Sequence, residues 1–584
     1  MEENGNYEVI NVTDENFGKC FYELIKTNTE EFTQKYIPKT SLFQYLLNYL
    51  KFERSGLQVK TIVREKYYTC LNFLEDYANY YARCYTQYEK HCKRVHFFKD
   101  EFVDSDFEQM LQNPKHANWN GYVGCIVIKP LPKGIFGITH LKTYPETDTR
   151  YYTCLFEKTI NLFGHDCHIL TMPFKEQDGI VVSCVTTALW MAFQKTSKLF
   201  NTKAPSLSEV TILAGDKYSN SGKIFPSKGL EMYQVCKAIT NNGLISEVRS
   251  DLTSNRFLKG LIYAYLKGGI PVLLTLRLPT NDEHHLVTAN GYKFNPDNNV
   301  KYVSDEITCF YVHDDQIGPF SRLLINNKEE EIIDENDRKV KYDYSLVTSW
   351  WKKEKLHDWI TQNNEFENKQ ENNKNNPESF MSSTPAYAII PVSQVIKVTY
   401  EDIIEQQEII EFVIGVFTDI NCNFKWDIFI TKSNEYKKWL IEQFGQKETR
   451  ITDILTTSFP QYIWIIQAWI EDILIFDFIY DTVELNRTGQ PAAVNVYHEG
   501  VSEAINSENM NVLCSNSFGK DTYRGSLMKI INELPYDFEE IKTWFKTFGD
   551  WEEAIKKKWI NVPLTITSKT VSDDIVNALN KLGD

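Results

Sequence analysis

Residues 177–184 read Gln177-Asp178-Gly179-Ile180-Val181-Val182-Ser183-Cys184, and the chain continues VTTALWMAFQ. A polar, glycine-containing loop gives way here to an amphipathic pattern. Val185, Ala188, Leu189, Ala192 and Phe193 share one face at helical spacing, and nothing interrupts the pattern until about Leu199. Cys184 therefore stands at the N-terminus of a helix. A thiol is a poor nucleophile at neutral pH until its thiolate is stabilised, and a helix N-terminus and an imidazolium are the two usual means.

Two downstream segments supply the matching chemistry. His285 lies in HLVTANGY, an apolar strand pattern ending in Gly291 and Tyr292, and Asp314 follows the apolar run Thr308–Val312 in FYVHDD. Cysteine, histidine and carboxylate in three separate segments suit covalent catalysis. Asp314 and its neighbour Asp315 are both eligible to orient the imidazole, and Asp314 fits the strand-end position better. His284 faces away from His285 by two-residue alternation. Against this stands the ordinary fate of a cysteine, which is burial as a small core residue.

These segments resemble the papain-like cysteine peptidases, most closely bacterial domains of the bacteriocin-leader type. The likeness covers roughly residues 120–325. It implies an α+β fold, with a central helix opened by Cys184 packed on an antiparallel sheet. It also implies catalysis by Cys184, His285 and Asp314, with the Cys184 backbone N–H and the Gln177 side chain forming the oxyanion hole. Two departures fall on that hole. The family glutamine usually stands five or six residues before the cysteine, whereas Gln177 stands seven before Cys184. The glycine that often follows the cysteine is Val185 here. The same order of residues occurs in transglutaminases, amidases and arylamine acetyltransferases. Acyl transfer, or a scaffold that has lost its chemistry, are the alternatives to peptide or isopeptide hydrolysis.

The 584 residues exceed what one core can hold and imply several domains. With 42 % hydrophobic and 14 % aromatic residues, such cores can be filled. The expected layout is a helical accessory module over 1–115, a peptidase domain over 116–400 and an α+β domain over 401–584 for specificity, partner binding or regulation. In the first, helices are expected over 17–37, 41–52 and 67–94. The last of these carries a stripe of Tyr68, Leu71, Leu74, Tyr77, Tyr81 and Tyr85, ending in the basic Lys90–Arg94. Residues 362–385 are polar and asparagine-rich and read as a flexible insertion, after which 387–398 read as a strand returning to the sheet. The runs YIWIIQAWI and ILIFDFIYD read as a hairpin.

A net charge of −16 weighs against non-specific binding to nucleic acid or anionic membrane, leaving a protein or peptide substrate and a regulatory protein as the expected partners. The polar, acidic start has no signal-peptide character. The most apolar stretch, 462–480, is interrupted by Gln467, Glu471, Asp472 and Asp477. Twelve cysteines without CxxC pairs read as reduced thiols of a cytoplasmic protein. No cofactor or metal is expected. The one metal alternative, His165, Cys167 and His168 with His313 elsewhere, places its first three members within a single strand, where neighbours alternate in face.

Overall fold

The structure, a computed structural model, describes residues 5–497 apart from 27–36, 38–39, 52–55, 114–118, 146, 178–183, 216–229, 279–283, 298, 334–337, 352–379, 418–423, 445–450, 471–472 and 486–490. It is α+β with antiparallel sheets. Two compact units emerge: residues 1–296 with 307–394, and residues 297–306 with 395–584.

In the first unit, β1 (Tyr7–Asn11), β2 (Thr61–Tyr68), β3 (Cys92–Phe98), β4 (Tyr122–Ile128) and β5 (Phe136–Leu141) form a five-stranded sheet in sequence order. Helices α1 (Phe17–Ile25), α2 (Ser41–Lys51), α3 (Leu71–Asn79) and α4 (Asp104–Gln112) lie between its strands. The expected helical module over 1–115 is thus corrected, because the sheet crosses residue 115 through the β3–β4 pairing. The expected helix 67–94 is instead the end of β2, the short α3 and the start of β3. Only Leu71, Leu74 and Tyr77 of its aromatic stripe lie on α3; Tyr68 ends β2, and Tyr81 and Tyr85 follow the helix. Leu71 and Tyr85 of the expected packing stripe are exposed, while Phe73, Asp76 and Tyr81 are buried. Arg94 is no solvated helix end either, being a buried strand residue bonded to Glu65 at 2.6 Å.

A two-residue strand β6 (Arg150–Tyr151) and the hairpin β7 (Phe156–Leu162)–β8 (His165–Thr171) lead to α5 (Cys184–Phe200). Ala188 to Phe193 are buried continuously, as a helix enclosed on all sides requires, and Asn201 at φ 55° ends it in the left-handed conformation. After α6 (Leu207–Ala214), α7 (Met232–Asn241), β9 (Leu244–Arg249) and α8 (Asn255–Lys267) comes the second sheet of this unit. It comprises β10 (Val272–Arg277), β11 (His284–Phe294), β12 (Ile307–Asp314), β13 (Gly318–Asn326), β16 (Ser345–Trp351) and β17 (Phe380–Ser393). A small hairpin, β14 (Glu330–Ile333) with β15 (Lys339–Tyr342), is set between β13 and β16.

Each strand of the second sheet pairs with the next, and β17 pairs back onto β10, closing a six-stranded ring with β9 alongside β17. Closure removes free edges from these six strands. Residues 380–385, expected in a flexible insertion, are ordered in β17, because Ser382 and Ser383 pair with Val347 and Leu346 of β16. Residues 362–379 of that insertion lie outside the described residues. The β11–β12 hairpin has no tight turn at Asn295. Its last pair is Phe294 with Ile307, and residues 297–306 between them belong to the second unit.

The second unit contains α9 (Tyr400–Phe417) and the antiparallel sheet β18 (Lys425–Lys432), β19 (Tyr462–Ile470), β20 (Ile473–Asp481) and β21 (Ala493–Val496), with α10 (Ser433–Phe444) and α11 (Ile451–Thr456). The expected hairpin is β19–β20. Four polar residues stand in register across the sheet, Asp427, Gln467, Asp477 and Asn495, and all are buried. Tyr436 and Tyr497 hydroxyls each donate to Asp477 Oδ2 at 2.5 Å. The helices expected over 523–531 and 538–546 lie outside the described residues. Among the described residues, no helix is long and apolar enough to cross a membrane.

Candidate functional site

Cys184 is the first residue of α5 and is half-buried. One turn along, the Ala188 carbonyl accepts a 3.0 Å hydrogen bond from the Thr288 hydroxyl of β11. This bond seats the helix against the strand, three residues from His285. The unsatisfied N–H groups and positive dipole end of a helix favour negative charge at the Cys184 position.

His285 is the second residue of β11, opposite Leu276 of β10, and only 3 % exposed, whereas His284 is exposed. Its Nε2 lies 3.0 Å from Asp314 Oδ1 and 3.7 Å from Asp315 Oδ1. The Cys184 thiol is near enough to the same imidazole to favour its charged form. Burial opposes charge on this ring, yet it is outweighed by the charge and hydrogen bond of Asp314, the Cys184 thiol and the charge of Asp315. The imidazole is therefore held well above its ordinary range and favours the imidazolium.

Asp314 ends β12 and opens the tight turn into β13. Its Oδ1 also accepts the Gln316 N–H at 3.0 Å, and its carbonyl accepts the Ile317 N–H at 3.0 Å. The turn closes at Gly318, which has φ +146°. A Cβ there would lie 2.3 Å from the Tyr45 ring, so only glycine is accommodated without movement. Of the two aspartates left open by the sequence, Asp314 makes the hydrogen bond. Asp315 is 1 % exposed, and neither carboxylate oxygen has a hydrogen-bond partner among the described residues. Burial pushes its carboxyl up to about 7, with the His285 charge pulling down and Asp314 pushing up. Donor atoms of His285, Asp314 and Asp315 lie within 4.8 Å of one another, but the His285–Asp314 bond occupies the nitrogen a cation would need.

Gln177 is half-buried and follows a segment fastened to the five-stranded sheet. The Phe136 N–H donates to Glu176 Oε2 at 2.9 Å, and the Glu176 N–H donates to the Phe136 carbonyl at 3.3 Å. Residues 178–183 lie outside the described residues, and among the described residues no hydrogen bond joins the Gln177 amide to Cys184 or His285. The structure brings His285 and Asp314 together, with Cys184 at the start of the helix beside them.

An anchor unseen in the sequence holds this approach to the cysteine. Lys175 Nζ pairs with Asp76 Oδ2 of α3 at 3.0 Å, and the Ser208 hydroxyl of α6 donates to Asp76 Oδ1 at 2.8 Å. Both charged side chains are 2 % exposed. The residues of the metal alternative have other partners. His313 Nε2 donates to the Met172 carbonyl at 3.1 Å while its Nδ1 accepts the Phe320 N–H at 3.1 Å, and burial holds its imidazole down at about 3. His165 bonds the Leu111 carbonyl, Cys167 is buried, and exposed His168 meets Thr159. Comparison of the chain with protein-family models, curated proteins and solved structures finds no match.

Proposed function

We propose that this chain is a papain-like cysteine peptidase that hydrolyses a peptide or isopeptide bond. One observation carries the reading: a buried imidazole, hydrogen-bonded to a carboxylate at 3.0 Å, whose charged form is favoured by a thiol at a helix N-terminus. In this mechanism the Cys184 thiolate attacks the carbonyl carbon while the Cys184 backbone N–H, with Gln177, receives the oxyanion. His285 donates its proton to the departing amine, leaving a thioacyl enzyme. It then takes a proton from water, and the resulting hydroxide releases the acid and restores the thiolate. Asp314 keeps the ring oriented throughout. The substrate is a protein or peptide met in the cytoplasm, and the second unit supplies specificity or partner binding.

Alkylation by an iodoacetamide-type reagent, with labelled peptides mapped by mass spectrometry, tests the reading. Cys184 should label at pH 6 well ahead of the other cysteines, and His285→Ala should abolish that lead. If Cys184 labels no faster than the others, both in buffer and in mild denaturant that opens a covered site, the proposal fails. Once a peptide substrate is in hand, Gln177→Ala should lower kcat by about a hundred- to a thousandfold if its amide holds the oxyanion.

A further inference from the structure

A second site lies in the first unit away from Cys184. A cavity of about 430 Å³ opens between the five-stranded sheet and the β7–β8 hairpin. A smaller one of about 110 Å³ shares Asn72, Ile138, His140 and Lys158 with it and extends to Trp190 and Gln194 of α5. Cavities of this size suit small molecules.

The charge of this space runs against that of the chain. Acidic residues outnumber Lys and Arg by 79 to 63, yet the lining holds Arg94, Lys158 and His140 and no aspartate or glutamate among the described residues. Arg94 directs Nε and Nη2 to Glu65, at 3.2 and 2.6 Å, and Nη2 also to the Asn161 carbonyl at 2.6 Å. Among the described residues, no group takes its Nη1 and none forms an ion pair with Lys158.

Two further polar groups in the lining are orphaned. Trp190 Nε1 and His140 Nδ1 are buried without hydrogen-bond partners among the described residues. Both residues line the cavities, but these two atoms are themselves covered, so the polar character of the space rests on Arg94 and Lys158. Burial, then Lys158 and Arg94, hold the His140 imidazole down at about 3. It is therefore a neutral hydrogen-bonding group rather than a third charge. Val127, Ile138 and Ile160 make the rest of the wall apolar.

We propose that this cavity binds a small organic anion, a carboxylate or phosphate monoester with an apolar body. Arg94 and Lys158 meet its charge, and Val127, Ile138 and Ile160 receive its apolar body. Trp190 lies about 9 Å along the helix axis from Cys184, so the site is distinct from the thiol and stands whether or not Cys184 is a nucleophile.

Isothermal titration of the full chain with phenyl phosphate, benzoate, inorganic phosphate and neutral benzamide provides the test. Saturable binding of phenyl phosphate or benzoate with a Kd below about 1 mM is expected, the better of the two identifying the anion, with no binding of benzamide. Lys158→Gln should weaken that binding about tenfold at unchanged melting temperature. If that variant melts early, Asn72→Ala carries the comparison. Hydrogen exchange should slow over 68–72 and 158–161 when the anion binds. The proposal is overturned if neither organic anion saturates by about 10 mM, if benzamide or inorganic phosphate binds as tightly, or if a folded variant binds like the wild type.

Discussion

Asp315 Oδ1 stands 3.7 Å from His285 Nε2, a second buried carboxylate beside the nitrogen that Asp314 holds at 3.0 Å. Its carboxyl titrates near neutrality, pushed up to about 7 by burial. Below that pH Asp315 is neutral and Asp314 alone supports the imidazolium. Above it a second negative charge arrives and favours the protonated ring further. Asp315→Asn removes this support. Followed by NMR of histidine-labelled protein, with the resonance assigned by its loss in His285→Gln, His285 should titrate at lower pH in Asp315→Asn than in wild type. It should remain above an ordinary imidazole, because Asp314 persists. Identical titrations in the two proteins would mean that Asp315 exerts no field on the ring.

Asp314 makes the hydrogen bond and should therefore weigh more than its neighbour. Asp314→Asn leaves the ring without its anionic partner and lowers the share of the thiolate–imidazolium pair. Cys184 alkylation at pH 6 should fall, because the imidazolium loses the carboxylate that holds its pKa up. Gly318→Ala should reach a similar end by another route, because its Cβ would press on Tyr45 and open the turn that aims Asp314. If Asp315→Asn slows alkylation more than Asp314→Asn, the roles given to the two aspartates are reversed.

Cys184, His285 and Asp314 are legible in the sequence because each carries a local signal: a helix start, an apolar strand and a strand end. The choice between Asp314 and Asp315 is not, since it depends on a turn held by Gln316 and Gly318. Closure of the ring is partly visible, in that 387–398 read as a returning strand. The pairing of one strand with both β10 and β16 is a long-range fact that no local pattern encodes. The N-terminal strands read as helix because the true helical spacing of Leu71, Leu74 and Tyr77 on α3 is continued by Tyr68 before it and by Tyr81 and Tyr85 after it. The polar row across β18–β21 is hidden for a related reason. Each member lies among apolar neighbours in its own strand, and only register reveals the four as a row.

The Asp76–Lys175 pair is likewise separated in sequence and buried in the fold, with Ser208 completing the aspartate's bonds. Asp76→Ala strands an ammonium in the interior, and loss of one partner of such a pair costs about 3–5 kcal/mol. Replacing both charges with apolar groups, Asp76→Leu with Lys175→Met, should recover most of that loss. Urea unfolding of the wild type, the single variant and the double variant measures both. A single variant within about 1 kcal/mol of wild type would show that the pair does not hold α3 to the segment before Gln177.

In the second unit, burial pushes the Asp477 carboxyl up to about 6. The Tyr436, Tyr497 and Gln467 hydrogen bonds pull it down, and the charge of Asp427 pushes it up. The ordinary value is 3.8, so between about pH 4 and 6 the folded unit binds a proton that the unfolded chain has released. The stabilisation is complete below that window and is lost as pH rises through it, by a total on the order of 3 kcal/mol. Asp477→Asn is neutral throughout and keeps an oxygen to accept from the tyrosines. Amide exchange in β19 and β20, corrected for its intrinsic pH dependence, reports the opening free energy of this unit. The variant should gain on the wild type from pH 4 to 6 and hold a constant lead above about pH 7. A difference that stays flat from pH 4 to 7 would mean Asp477 is ionised in the folded unit across that range, its charge already met by the two hydroxyls.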